Sequence, residues 1–348
     1  MLAADSKAVC APTQKTSKAE PICSWKEIID PVEPFLEAVG QRLAKQVEAF
    51  DPDIVRYADY ALNGQGKHLR AALVALTAKA LGKINDAHIT VAVIIEMVHL
   101  ATLVHDDVID EAEIRRGRLT LAANWTNEVA VLFGDCLFAH ALTLAASFPT
   151  PDICRAVAMA TNTVCSGEIL QMQHRRDFRF TREQYFKVLE MKTAELFALS
   201  CELSAGLSVG GPRAVLRQFG LAFGTAYQVY DDCVDLFGSE AAAGKSLGTD
   251  LTKGKLTLPM LLLWERANAT DRACLQVMVE GWQANSMTGL GALLEKYDTQ
   301  AAALDIIHQY LEKARQTLRT LPASNGRAGL LGLIEYLARQ ADVLGVCA

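Results

Sequence analysis

Apolar residues recur at helical spacing along almost the whole chain. The pattern opens at Val32, runs through Phe35, Leu36, Val39, Leu43 and Val47, and breaks at Asp51-Pro52, where Asp can cap the next helix and Pro suits its first turn. Asn63-Gly64-Gln65-Gly66 reads as a turn. Beyond it the pattern predicts helices over 67–81, 86–109, 124–147, 152–177, 181–209, 212–238, 256–268, 270–283, 286–296, 299–319 and 326–345. Stretches such as Ala71 to Ala80 and Ile89 to Val104 lack the strict alternation of a half-buried strand, and Pro is scarce at 10 residues, so the fold class is all-α. Connections are short except at 110–123 and 239–255, which carry Gly and basic residues as mobile functional loops do.

Composition narrows this. With 51% hydrophobic and 21% charged residues in 348, the chain can bury a large core. No repeat, low-complexity tract or Pro/Ser-rich linker divides it, so residues 25–348 are expected to form a single helical domain behind a tail over 1–24. That tail has no apolar segment of secretory type, and its two acidic residues and lack of Arg before position 21 argue against a transit peptide. The net charge of −6 gives no global field to attract nucleic acid, so an anionic ligand needs local clusters of Lys and Arg. Nine cysteines, an odd number with no C-x-x-C pair, fit a reducing, cytoplasmic setting. No membrane span is expected, because the longest apolar run, Ile89 to Val104, is interrupted by Glu96 and His99.

The chemistry is concentrated in two acidic sequences. Asp106-Asp107-Val108-Ile109-Asp110 closes the most hydrophobic helix, with Asp106 and Asp110 on one face and Asp107 one residue away. A second copy, Asp231-Asp232-Cys233-Val234-Asp235, closes another apolar helix. Carboxylates at a helix C-terminus oppose the macrodipole, so cations are needed to compensate. Hard oxygen ligands without Cys or His at ligand spacing suggest Mg²⁺, which bridges a few carboxylates to phosphate oxygens. A single D-D-x-x-D is as readily a solvated helix end. Two copies, each ending a buried helix, favour a pair of sites that trap a diphosphate.

Basic residues surround both copies. Gly66-Lys67-His68-Leu69-Arg70 opens a helix after a Gly-rich turn, where backbone N–H groups, Lys67 and Arg70 can hold a phosphate. Arg115-Arg116 follows the first cluster, Lys192-Thr193 lies within a helix, and Lys245, Lys253 and Lys255 occupy the loop after the second. Each alone could be a solvated side chain, but their placement points to two anionic ligands.

The series Gly66-Lys67-x-x-Arg70, His99, Asp106-Asp107-x-x-Asp110, Arg115-Arg116-Gly117, Gly167-Glu168, Lys192-Thr193, Tyr227-Gln228-x-x-Asp231-Asp232-x-x-Asp235 and Gly244-Lys245 to Gly254-Lys255 resembles the trans-isoprenyl diphosphate synthases over about residues 33–345. The resemblance implies the isoprenoid synthase fold, a large antiparallel helical bundle around a central active-site cavity, and head-to-tail condensation of isopentenyl diphosphate with an allylic diphosphate. It implies that Asp106, Asp107, Asp110 and Asp231 hold Mg²⁺ on the allylic diphosphate, with Asp232 and Asp235 in support. Arg115, Lys192, Lys245 and Lys255 would contact that diphosphate, and Lys67, Arg70, His99 and Arg116 that of isopentenyl diphosphate. Thr193 and Gln228 offer dipoles to the allylic cation, with a helix-interior threonine and a satisfied buried amide as the plainer alternative. His99 could equally be a core histidine. The pattern departs from the family at Gln65, where a second Gly is common, at His68, where Arg or Lys is usual, and at Ala71, where Pro is common.

Behind Asp106, the positions Thr102, Ala101, Val98 and Ile94 form a stripe along which a growing chain can lie. Ala101 and Thr102 are small where short-chain enzymes of the family often carry aromatics, so a product of the geranylgeranyl class or longer is expected, with Phe133, Phe138 or Leu142 as the floor. A terpene cyclase would need no Lys67 and Arg70, and a regulatory subunit would be expected to have lost one acidic motif. A di-iron bundle would need a second partner for Glu96-x-x-His99. The resemblance also implies a homodimer.

Overall fold

The computed structural model describes residues 24–62, 66, 68–238, 247–283 and 286–345. Lys67, Lys245 and all but the last residue of the expected tail lie outside them. The described chain is helical almost throughout. In order the helices are α1 (Trp25–Ile29), α2 (Glu33–Lys45), α3 (Val55–Leu62), α4 (Leu69–Leu81), α5 (Asp86–Ile109), α6 (Leu121–Asn124), α7 (Asn127–Ala146), α8 (Asp152–Gln173), α9 (Arg182–Leu189), α10 (Glu195–Gly206) and α11 (Arg213–Phe237). They continue with α12 (Thr249–Thr252), α13 (Leu258–Arg266), α14 (Ala269–Glu280), α15 (Met287–Lys296), α16 (Thr299–Leu318) and α17 (Asn325–Asp342).

Local signals set the boundaries. Asn85 caps α5 by accepting the His88 N–H at 3.2 Å, and Thr181 caps α9 through Gln184, whose side chain returns the bond. The residues Ala71 to Ala78 of α4 are all buried, as expected of a helix that is apolar all round. It packs between α10, α17 and α5. Along α11, Leu216, Phe219, Phe223, Ala226, Val229 and Cys233 form the buried stripe that meets α10 and α16. Phe197, Phe219 and Phe223 are among the largest fully buried side chains, each worth about 1.5–3 kcal/mol in transfer from water.

Three features depart from the predicted pattern. Within 110–123 the chain forms a two-stranded hairpin, β1 (Ile114–Arg115) and β2 (Arg118–Leu119), whose turn residues Arg116 and Gly117 both have positive φ. The helix predicted over 181–209 is interrupted by a π-helical turn, Glu190–Ala194. Finally, α5, despite Glu96 and His99, and α7 are by length and composition apolar enough to cross a bilayer. Helix α5 has 61% of its most apolar window buried within the bundle, whereas α7 has 33%.

Candidate active site

The first acidic cluster ends α5, and each of its carboxylates meets a different set of cations. Asp106 lies 3.6 Å from Lys192 Nζ. Asp107 accepts from Arg115 Nε at 2.7 Å, so the hairpin is tied to the helix it follows. Asp110 accepts from Arg175 Nη2 at 2.8 Å on one oxygen and from Lys253 and Lys255 Nζ at 3.0 Å each on the other. The charge at this helix end is therefore neutralised by residues from four separate segments. Burial opposes ionisation of Asp110, but Lys255 and Lys253 outweigh it and pull the carboxyl down to about 2. At Asp106 and Asp107 burial prevails over Lys192 and Arg115, and both carboxyls lie above their ordinary value.

Lys192 sits within the π turn, an irregularity often found at functional sites. The turn is held by close helix approach. A Cβ on Gly167 of α8 would come within 2.8 Å of the Lys192 backbone nitrogen, and one on Gly224 of α11 within 2.8 Å of Ala194 Cα. Its ammonium reaches Gln171 at 3.0 Å and pairs with Glu168 as well as Asp106. Burial works against its charge, yet Asp106 and Glu168 together raise its pKa above the ordinary value.

The second cluster, at the end of α11, is organised by hydrogen bonds. Thr193 Oγ1 donates to Gln228 Oε1 at 2.9 Å, and Gln228 Nε2 donates to Asp232 Oδ1 at 2.8 Å. The other Asp232 oxygen accepts from Tyr185 at 2.6 Å. Burial, then the neighbouring Asp250 charge, push the Asp232 carboxyl up to about 8 against these bonds. Asp235 is buried and spends its oxygens on the backbone N–H groups of Thr249 and Asp250 and on the Thr249 hydroxyl, which anchors α12. Asp231 is half-buried beside Asp232. A cleft lined by Gln171, Lys192, Thr193, Gln228, Asp232 and Lys255, among others, runs from the cations that pair with the first cluster to Asp232 of the second.

A basic pocket lies at the start of α4. Arg70 stacks over Phe197, its guanidinium carbon 4.7 Å from the ring centroid, and among the described residues its buried Nε has no hydrogen-bond partner. An anion would satisfy it. Arg116, carried on the hairpin turn, packs so closely on Gly66 that a Cβ there would stand 2.7 Å from its Nη1. Burial, followed by the Arg70 and Arg116 charges, holds His99 well below its ordinary value, so it is a neutral imidazole among cations. The departures at His68 and Ala71 share one partner: Glu96 lies 3.2 Å from His68 Nδ1 and accepts the Ala71 N–H at 3.1 Å, a donor Pro would lack. Glu96 is thus a half-buried, hydrogen-bonded residue that ties α5 to the start of α4.

Similarity to known proteins gives the family. Residues 51–296 match the family model for polyprenyl synthetase. The chain belongs to the polyprenyl synthetase family. It is 32% identical to the octaprenyl diphosphate synthase of Haemophilus influenzae over 91% of this chain and 97% of that protein, and 34% identical to the nonaprenyl diphosphate synthase of Mycobacterium tuberculosis over 87% and 93%. Among solved structures, the decaprenyl diphosphate synthase of Rhodobacter capsulatus superposes with a TM-score of 0.84 at 29% identity, over 91% of this chain and 99% of that one. The polyprenyl synthase of Caulobacter crescentus complexed with calcium and isoprenyl diphosphate gives 0.82 at 30%, over 89% and 96%. The enzyme is therefore a trans-prenyltransferase with the all-α isoprenoid synthase fold.

In this prenyltransferase the structure brings Asp106, Asp107, Asp110, Arg115, Lys192 and Lys255 together at one pole, and Thr193, Gln228 and Asp232 share a cleft with Lys192 and Lys255, while Asp231 lies next to Asp232 at the end of α11 and Asp235 anchors α12. Arg70, His99 and Arg116 form the adjoining pocket; Lys67 and Lys245 lie outside the described residues. Ile94, Val98 and Ala101 are buried on α5, which packs on α7, and the half-buried Thr102 donates its hydroxyl to the His99 carbonyl at 2.7 Å. Phe133 is buried beside Phe50, whereas the Phe138 ring lies 5.7 Å from that of His105. Sequence reasoning missed Arg175, Tyr185 and the pairing of Glu168 with Lys192. A basic residue in a turn and a Tyr in an amphipathic helix carry no local signal of these partners.

Proposed function

We propose that the enzyme condenses isopentenyl diphosphate head to tail with an allylic prenyl diphosphate, in a Mg²⁺-dependent reaction, to give a trans-polyprenyl diphosphate of the geranylgeranyl class or longer. The observation that carries this is the cation set between the two acidic helix ends: Lys192, Lys253 and Lys255 all lie on carboxylates of the first cluster, and Lys192 and Lys255 also line the cleft that reaches Asp232 of the second. Such an arrangement suits a ligand that is highly anionic and must leave with more charge than it arrived with.

Mg²⁺ is ordinarily held by one or two carboxylates together with substrate phosphates, and the carboxylates at the two helix ends are donors of that kind. Asp106, Asp110 and Asp231 would hold it, and when bound it would neutralise charge on the leaving diphosphate. Lys192, Arg115 and Lys255 would bind and orient that diphosphate. The Thr193 and Gln228 oxygens, fixed by their mutual hydrogen bond, would face the allylic cation. Arg70, Arg116 and neutral His99 would hold the isopentenyl diphosphate beside it, and the departing diphosphate would take the proton. Asp235 contributes by fixing the loop that carries Lys253 and Lys255. The heptaprenyl, octaprenyl and nonaprenyl products in the relatives' names support the long-chain reading.

Incubation of the purified protein with isopentenyl diphosphate, farnesyl diphosphate and Mg²⁺, followed by separation of products by length, tests the reading. Longer prenyl diphosphates that disappear with EDTA and in Asp106→Ala are expected. No elongation with any allylic primer, or release of a cyclic hydrocarbon, would overturn it. We also propose a cytoplasmic homodimer: the described cysteines are all free thiols, and α7 leaves Val131 and Leu132 exposed.

A further inference from the structure

The turn after α8 has no role in the function proposed above, yet it delivers a cation into the first acidic cluster. Arg176 adopts a left-handed conformation, φ 57°, and its N–H donates to the Gly254 carbonyl at 2.7 Å. Gly254 is itself left-handed at φ 74°, and a Cβ there would stand 2.8 Å from Arg176 Cγ. The turn and the Lys253–Lys255 segment are therefore interlocked. Their three cations, Arg175, Lys253 and Lys255, converge on Asp110.

Asp110 is the direct partner of all three, whereas Asp107 is engaged by Arg115, and Asp106 faces Lys192, which Glu168 also pairs. Arg175 is incompletely used: its Nη2 is on Asp110, while among the described residues its buried Nε has no hydrogen-bond partner. A guanidinium prefers two parallel bonds to a carboxylate or phosphate, and a buried charged donor left unpaired is costly.

We propose that Arg175 is a substrate-binding residue of the allylic site, contacting the diphosphate alongside Lys192 and Lys255, with Asp110 as the counter-ion that holds it in place beforehand. This rests on the prenyltransfer reading of the site. The ligand chemistry is that of a diphosphate ester, and the residue lies on the side of Lys253 and Lys255 rather than in the Arg70 pocket. Its loss should therefore affect one substrate only.

The test uses the full-length enzyme and the variants Arg175→Gln and Arg175→Lys. Inorganic diphosphate binding is measured by calorimetry with Mg²⁺ present, and KM is measured separately for farnesyl and isopentenyl diphosphates. Arg175→Gln should weaken diphosphate binding and raise the farnesyl diphosphate KM on the order of tenfold to a hundredfold, with isopentenyl KM within about twofold of wild type. Arg175→Lys should recover part of the loss. Wild-type diphosphate affinity in Arg175→Gln, with only a lowered melting temperature, would make Arg175 a strap on Asp110 and overturn the proposal. So would equal rises in both KM values. If the wild type itself neither binds diphosphate nor elongates, the prenyltransfer reading falls, an outcome distinct from a failure confined to the variant.

Discussion

Among single residues, His68 shows how a departure from the family pattern can be locally compensated. It is the left-handed residue before α4, and its imidazole is raised above its ordinary value by the hydrogen bond to Glu96, which outweighs burial. A base whose folded pKa is raised stabilises the fold fully below its unfolded pKa of about 6.5, and loses that contribution as pH rises through the folded value. The stability gap between wild type and His68→Gln should therefore be widest at acidic pH and shrink above neutrality, as read by denaturant melts across pH 5.5–9. A gap independent of pH would mean the pair is not ionised as described. Asp106, Asp107, Asp110 and Asp232 were legible in sequence because clustered carboxylates at the end of an apolar helix are locally anomalous. Their partners were not: Tyr185 reaches Asp232 across 47 positions and Arg175 reaches Asp110 across 65.

Among the elements, α5 and α11 do most to build the site, and their boundaries follow from the sequence closely. The predicted 86–109 and 212–238 became Asp86–Ile109 and Arg213–Phe237. The π turn at Glu190–Ala194 was not foreseen, since periodicity sums over a whole helix and one extra residue scarcely disturbs it. On α5, Ala101 is fully buried one turn and a residue before Asp106. Phe in its place should shorten the product by one or more isoprene units while leaving the first condensation intact, as seen by chromatography of the labelled products. Unchanged lengths in a folded Ala101→Phe enzyme would remove this stripe from the growing chain's path.

For the molecule as a whole, one connected cluster of buried apolar residues extends from Ile28 to Leu344. On α7 two adjacent apolar side chains, Val131 and Leu132, are exposed, Leu132 at 64%. If that face meets a second copy, sedimentation should give twice the 37.8 kDa chain mass, and Leu132→Glu should shift the population towards monomer. A wild-type monomer would exclude the homodimer.

The sequence by itself determined the helical class, most helix boundaries, both acidic clusters and the family resemblance, because periodicity, capping and charge clustering are properties of neighbouring residues. Tertiary structure decided which cation serves which carboxylate. It gave Asp110 three partners from two distant segments, assigned Asp235 to anchoring α12 and placed Thr193 against Gln228. Those outcomes depend on glycine-mediated approaches such as Gly167 on Lys192, where the distance between two helix backbones, rather than any local pattern, fixes where a side chain ends.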